Sequence, residues 1–269
     1  MKPRWLIAPN PSSMTLDGTR TFIVGRSQPA VIDPGPDIEA HINAIVRLLD
    51  GATPVMIVVT HNHPDHSAAA ASLARITGAP IHPGGPCRIR TDMGEIDLIP
   101  TPGHTPDHLI AVWPAGRAVF VGDLLMGAGD TTLVAPPEGN LGDYLRSLDV
   151  LEALVTAAPA PAESDPAAGD PMPAGSRAVE PQAVESVEAE PVTLYPAHGP
   201  PITDPVAAIA RYRRHRLERI RRVREALAEG LPSDPEALLD RIYGAGLDSR
   251  LRDAARGSLA AILEYINSR

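Results

Sequence analysis

The apolar run Val55-Met56-Ile57-Val58-Val59 passes without a break into Thr60-His61-Asn62-His63-Pro64-Asp65-His66, and an alanine-rich stretch, residues 67–77, follows at once. Five consecutive apolar residues bounded by polar ones read as a buried strand. Residues 67–77, with Ser67 near the start and Gly78 after the end, read as a helix with a glycine C-cap. A strand, a short polar turn and a helix in that order point to a layered α/β architecture. The same alternation recurs elsewhere: strands are expected at residues 21–24, 30–32, 96–99, 109–113 and 118–121, and helical patterns at 38–49 and 141–155.

The turn itself carries four metal-ligand types. In extended chain His61 and His63 project to the same side, whereas Asp65 and His66 lie where the turn enters the helix and face another direction. One loop can therefore feed two adjacent metal positions. Single residues elsewhere supply what four donors leave incomplete: His104 in Thr101-Pro102-Gly103-His104-Thr105, Asp123 in Val121-Gly122-Asp123, and His198 in Tyr195-Pro196-Ala197-His198-Gly199. Each follows an expected strand, where sites of α/β proteins gather. Cys87 is the only cysteine, which excludes an internal disulfide, a C-x-x-C pair and a thiolate-rich zinc site. A metal would then be held by imidazole and carboxylate, a donor set that suits zinc first and also manganese or iron. Lys2 is the only lysine, so Schiff-base chemistry has no interior amine to use.

Organisation changes twice along the chain. Residues 156–191 hold seven prolines, ten alanines, seven acids and one arginine, with no aromatic residue, and are expected to be a disordered surface insertion of charge −6. That leaves only −3 of the formal −9 for the rest. A short strand is expected at 192–195. Asp204-Pro205 then opens a long helix in which Ile209, Tyr212, Ile220, Val223 and Leu227 recur at helical spacing, and a compact helical module completes the 269 residues. No stretch of eighteen apolar residues and no signal-type apolar region is present, so a cytoplasmic protein without a membrane span is expected.

The ligand pattern resembles the metallo-beta-lactamase superfamily over residues 14–205, the insertion apart. The resemblance implies a four-layered αββα sandwich, with residues 1–204 as the catalytic domain and 205–269 as a small helical, winged-helix-like C-terminal domain. It implies two divalent metal ions, with zinc as the default. His61, His63 and His104 would hold one, Asp65, His66 and His198 the other, and Asp123 would bridge both. Asp33, in Val31-Ile32-Asp33-Pro34-Gly35, would brace the ligand loop without binding metal. A metal-bridging hydroxide would be the nucleophile. Asp65 and His198 are the candidate catalytic side chains, and the proton donor to the leaving group stays open. Asp107 and His108 are expected to orient His104, and His41 and His82 to have no catalytic part.

Asp123, where true beta-lactamases of this fold carry Cys or Ser, points away from antibiotic hydrolysis. The segments Pro136-Pro137-Glu138-Gly139-Asn140-Leu141, Tyr144-Leu145-Arg146-Ser147-Leu148 and His215-Arg216-Leu217-Glu218-Arg219-Ile220 resemble the beta-lactamase-like endoribonuclease branch, which implies phosphodiester hydrolysis of single-stranded RNA. Eight arginines against one glutamate between Arg211 and Arg224 would suit a polyanion. Nine aromatic residues in the whole chain offer few platforms for stacking bases. The alternative is a glyoxalase II-like thioesterase acting on an anionic small molecule. A third reading, of another class, is a non-catalytic nucleic-acid-binding module, against which the intact set of seven ligands argues. The oligomeric state is left open.

Overall fold

The computed structural model describes residues 1–129, 131–157 and 191–269. Two sheets carry the architecture. The first has four strands in the order β1 (Arg4–Ile7), β2 (Arg20–Val24), β3 (Ala30–Ile32) and β4 (Met56–Val58). The second has five: β5 (Cys87–Thr91), β6 (Gly94–Pro100), β7 (Leu109–Trp113), β8 (Ala118–Gly122) and β9 (Thr193–Pro196). In each sheet the last pair is parallel and the others are antiparallel.

Period-two alternation sorts the strand residues into layers. Phe22, Val24, Ala30, Ile32 and Val58 of the first sheet meet Ile96, Leu98, Ala111, Trp113, Phe120 and Tyr195 of the second in the central core. Their neighbours Ile23, Val31 and Ile57 point the other way, onto helices α1 (Glu39–Leu49) and α3 (Ala70–Thr77). Ile110, Val119, Val121 and Leu194 point outward from the second sheet onto α4 (Leu141–Thr156) and the C-terminal helices. Helix, sheet, sheet and helix are thus separated by three apolar seams.

Strands β1 and β5 were not expected. Both are edge strands of their sheets; Cys87-Arg88-Ile89-Arg90-Thr91 lacks an apolar run, and Trp5-Leu6-Ile7 sits between Pro3 and Pro9, with Trp5 and Ile7 exposed. The expected helix over 67–77 is also divided. Helix α2 (Pro64–Ser67) begins three residues earlier, with proline at its first turn, and α3 follows after Ala68 and Ala69. Asp65 and His66 are therefore helical.

Residues 205–269 form α5 (Pro205–Ala228), α6 (Pro235–Tyr243) and α7 (Arg252–Asn267). Ile209, Tyr212, Leu239, Leu259 and Ile262 from these helices belong to the same apolar cluster as Val121, Leu148 and Leu194. No helix among the described residues is long and apolar enough to cross a membrane. The expected disordered insertion falls mainly on residues 158–190, outside those described.

Candidate metal centre

The carboxyl ends of β3, β4, β6, β8 and β9 lie along one edge of the sandwich, and each opens into a loop that carries candidate residues: Asp33, residues 61–66, His104, Asp123 and His198. The two sheets are tied together there, with Leu109 N donating to Thr60 O at 2.9 Å and Arg20 N to Ala197 O at 2.8 Å. Gly122 is required at this junction. Its φ is +49°, and a Cβ would sit 2.8 Å from both His108 Nε2 and Thr60 Oγ1.

All seven predicted ligands meet. Three groups, His61–His63–His104, His61–His66–Asp123 and Asp65–His66–His198, each bring their donor atoms within 4.8 Å of one another. His61 Nε2 and His104 Nε2 lie 2.9 and 3.1 Å from His63 Nδ1. His198 Nε2 lies 3.2 Å from Asp65 Oδ2 and 3.3 Å from Asp123 Oδ1. The second oxygen, Asp123 Oδ2, faces His104 Nε2 at 3.7 Å, so the one carboxylate looks toward both groups.

The opposite ring nitrogens explain why the inner ones converge. His61 Nδ1 donates to Thr60 Oγ1 at 3.1 Å, His63 Nε2 to Glu138 Oε2 at 3.0 Å, and His66 Nδ1 to Asp33 Oδ2 at 3.0 Å. His104 Nδ1 donates to Leu133 O at 2.6 Å and His198 Nδ1 to Gly18 O at 3.3 Å. Each anchored proton fixes a tautomer and turns a lone pair inward, the arrangement that metal-bound imidazoles use. His66 Nε2 and Asp123 Oδ1 are buried without a hydrogen-bond partner. Two orphaned polar atoms at the convergence of imidazole and carboxylate donors fit a pair of divalent cations.

The sequence profile of the metallo-beta-lactamase superfamily matches residues 15–85 and 90–162. The chain belongs to the metallo-beta-lactamase superfamily. It is a metal-dependent hydrolase of that group. It is 26% identical to an atrochrysone carboxyl ACP thioesterase of Aspergillus chevalieri, over 98% of this chain and 71% of that protein. It is also 26% identical to the beta-lactamase-like protein 2 homolog of Caenorhabditis elegans, over 83% of this chain and 70% of the relative. A crystal structure of a beta-lactamase domain protein from Burkholderia ambifaria superposes with a TM-score of 0.72 at 18% identity, covering 99% of this chain and 87% of that one. The last comparison bears on the fold.

Burial and charge set the protonation of this superfamily site before a cation enters. Burial disfavours a charge on His66, yet Asp33 and Asp123 beside it prevail and raise its pKa to about 9. Burial holds His61, His104 and His108 below the usual imidazole value, His108 at about 3. Burial would raise Asp65, but the hydrogen bond from His198 and the charge of His66 lower it to about 2.

Asp33 does what the resemblance implied, accepting from Thr60 N at 2.7 Å and Thr60 Oγ1 at 2.9 Å as well as from His66. Asp107 and His108 do not orient His104, because Leu133 O already takes its proton. Instead Asp107 Oδ2 accepts from Asn62 N at 3.0 Å and so braces the ligand loop. His108 donates from Nδ1 to Thr101 Oγ1 at 2.9 Å and accepts from Asp123 N at 3.2 Å, which positions the Asp123 residue. His41 lies apart from this cluster and bonds Thr21 Oγ1 at 2.9 Å. Glu138 was missed as a site residue. The signal was present in Pro136-Pro137-Glu138, but only the folded chain brings Glu138 across 75 positions to His63.

Proposed function

We propose that this chain is a binuclear metallohydrolase whose substrate is a thioester. The observation that carries the binuclear reading is the double-facing Asp123 carboxylate, set between the His61–His63–His104 group and the Asp65–His66–His198 group. When bound, the two divalent ions acidify water toward neutral pH and polarise the scissile carbonyl. The chain's own work is to hold those donors in place through Asp33, Thr60, His108, Glu138, Leu133 and Gly18. His198 Nε2 and Asp65 Oδ2, 3.2 Å apart, line the second group as donors, and the proton for the departing sulfur comes from the water that is split. Hydrolysis breaks the C–S bond, forms a C–O bond and yields a carboxylic acid and a thiol.

Two observations support a thioester. A relative spanning nearly the whole chain carries the name thioesterase. The arginine run that favoured a polyanion is largely engaged within the fold. Arg213 pairs with Asp149 and Glu152, and Arg221 with Glu218 and Glu225. Arg216 is buried against Thr132 O and the Tyr144 ring, while Arg211, Arg219 and Arg222 donate to Gly129 O, Ile242 O and Arg241 O.

A second reading, phosphodiester hydrolysis of single-stranded RNA with α5–α7 acting as a winged-helix-like module, draws on the same basic helix. Arg211 and Arg216 reach Gly129 O and Thr132 O, the latter next to the His104 anchor Leu133. The test is turnover by zinc-loaded and manganese-loaded protein of lactoylglutathione, acetyl-CoA and single-stranded RNA, with chelator and His63→Ala as controls. Thioester turnover lost in both controls is expected. RNA cleavage lost in both controls, without thioester turnover, would overturn the thioester reading.

A further inference from the structure

We infer that the cavity between the metal centre and the C-terminal helices is a binding site for the apolar acyl part of the substrate. This deepens the thioester reading above and rests on it for the identity of the reacting group.

Position is the first argument. One wall is residues 131–133, whose Leu133 carbonyl anchors His104. A second is Met126, three residues beyond Asp123, in a loop whose Gly127 N donates to His198 O at 2.7 Å. A third is Ser13–Met14, in the connection that reaches the His198 anchor at Gly18. Three segments that hold three different ligands thus also line one cavity, which neighbours the centre across those segments.

Lining chemistry is the second. Opposite those walls, α6, α7 and the turn between them contribute Tyr243, Leu247, Leu251, Ala254 and Ala255. Among the described residues no carboxylate lines the cavity, and Arg219 already donates to Ile242 O at 2.8 Å and stacks over the Tyr243 ring at 4.4 Å. The volume, about 330 Å³, is that of a small-molecule site. Met14 and Leu251 line it while remaining 45% and 39% exposed, an apolar mouth open to water. Ser13, Thr131, Thr132, His215, Arg219 and Ser258 are the polar members of the lining, and the apolar walls between them suit a hydrocarbon chain.

The test compares acetyl-, hexanoyl- and decanoyl-CoA hydrolysis by the metal-loaded protein, and measures decanoate against acetate binding by calorimetry. Wild-type kcat/KM is expected to rise about fourfold per added methylene until the cavity is full. Ala254→Phe, which fills the cavity, should abolish the decanoyl-over-acetyl preference and decanoate binding; Ser258→Phe repeats the test from the next turn of α7 should the first variant fold poorly. A flat chain-length profile, or decanoate binding that survives both substitutions, overturns the assignment. Decanoate binding lost on filling the cavity, with no thioester turned over by wild type, leaves the site standing and refutes the thioester reading instead.

Discussion

Five histidines at the centre each spend one ring nitrogen on an anchor, and four of those anchors are Thr60, Asp33 and the carbonyls of Leu133 and Gly18. The fifth is Glu138, a largely exposed carboxylate on a loop. Glu138→Gln removes the charge that makes His63 a stronger donor, and should weaken metal binding by roughly 10- to 100-fold, read by competition with a chromophoric chelator. Equal affinity in the variant would show Glu138 to be incidental. The protonation pattern makes a second prediction for metal-free protein. His66, raised to about 9 from 6.5, contributes stability that is complete below pH 6.5 and lost as pH rises through about 9. His61, His104 and His108, all lowered from 6.5, act in the opposite sense: the unfolded chain takes up their protons first, so stability falls as pH drops below 6.5. Melting temperature in chelator should therefore peak between about pH 6 and 7, and a monotonic profile would contradict the assignment.

At the scale of elements, the site depends on how strands end and what presses on them. Tyr212 of α5 accepts from Met126 N at 2.9 Å and donates to Met126 O at 3.1 Å, buried beneath the loop that follows Asp123. Tyr212→Phe leaves both backbone groups without a partner and should cost about 1–3 kcal/mol, measured by denaturant unfolding. Gly122→Ala, which forces a Cβ against His108 and Thr60 at positive φ, should cost a similar amount, about 1–3 kcal/mol, and lower metal affinity with it. Element type was legible wherever burial on both faces wrote an apolar run, as in Thr21-Phe22-Ile23-Val24 and Ala118-Val119-Phe120-Val121. It was not legible in β5, where Arg88 and Arg90 face water and pair with Asp97 and Glu95 on β6. Those arginines find their reason only across the strand pair.

For the whole molecule, one apolar cluster joins the second sheet, α4 and all three C-terminal helices. Truncation after residue 204 would uncover Val121, Leu124, Leu148 and Leu194 together, so the shortened chain should lose cooperative folding, seen as a vanished thermal transition in calorimetry. A truncated protein that melts sharply would show the helices to be an independent unit. By itself the sequence determined the donor set, because histidine and aspartate in His61-Asn62-His63-Pro64-Asp65-His66 are chemically committed and the loop's spacing is local. It also determined the layered alternation, since period and burial are written residue by residue. Only the tertiary structure decided that Glu138 and the carbonyls of Leu133 and Gly18 anchor those histidines, and that Met126 and Leu247 share a cavity. Glu138 meets His63 across 75 positions and His108 meets Asp123 across 15, and Met126 and Leu247 line one cavity; such pairings are selected by how the sheets and helices pack.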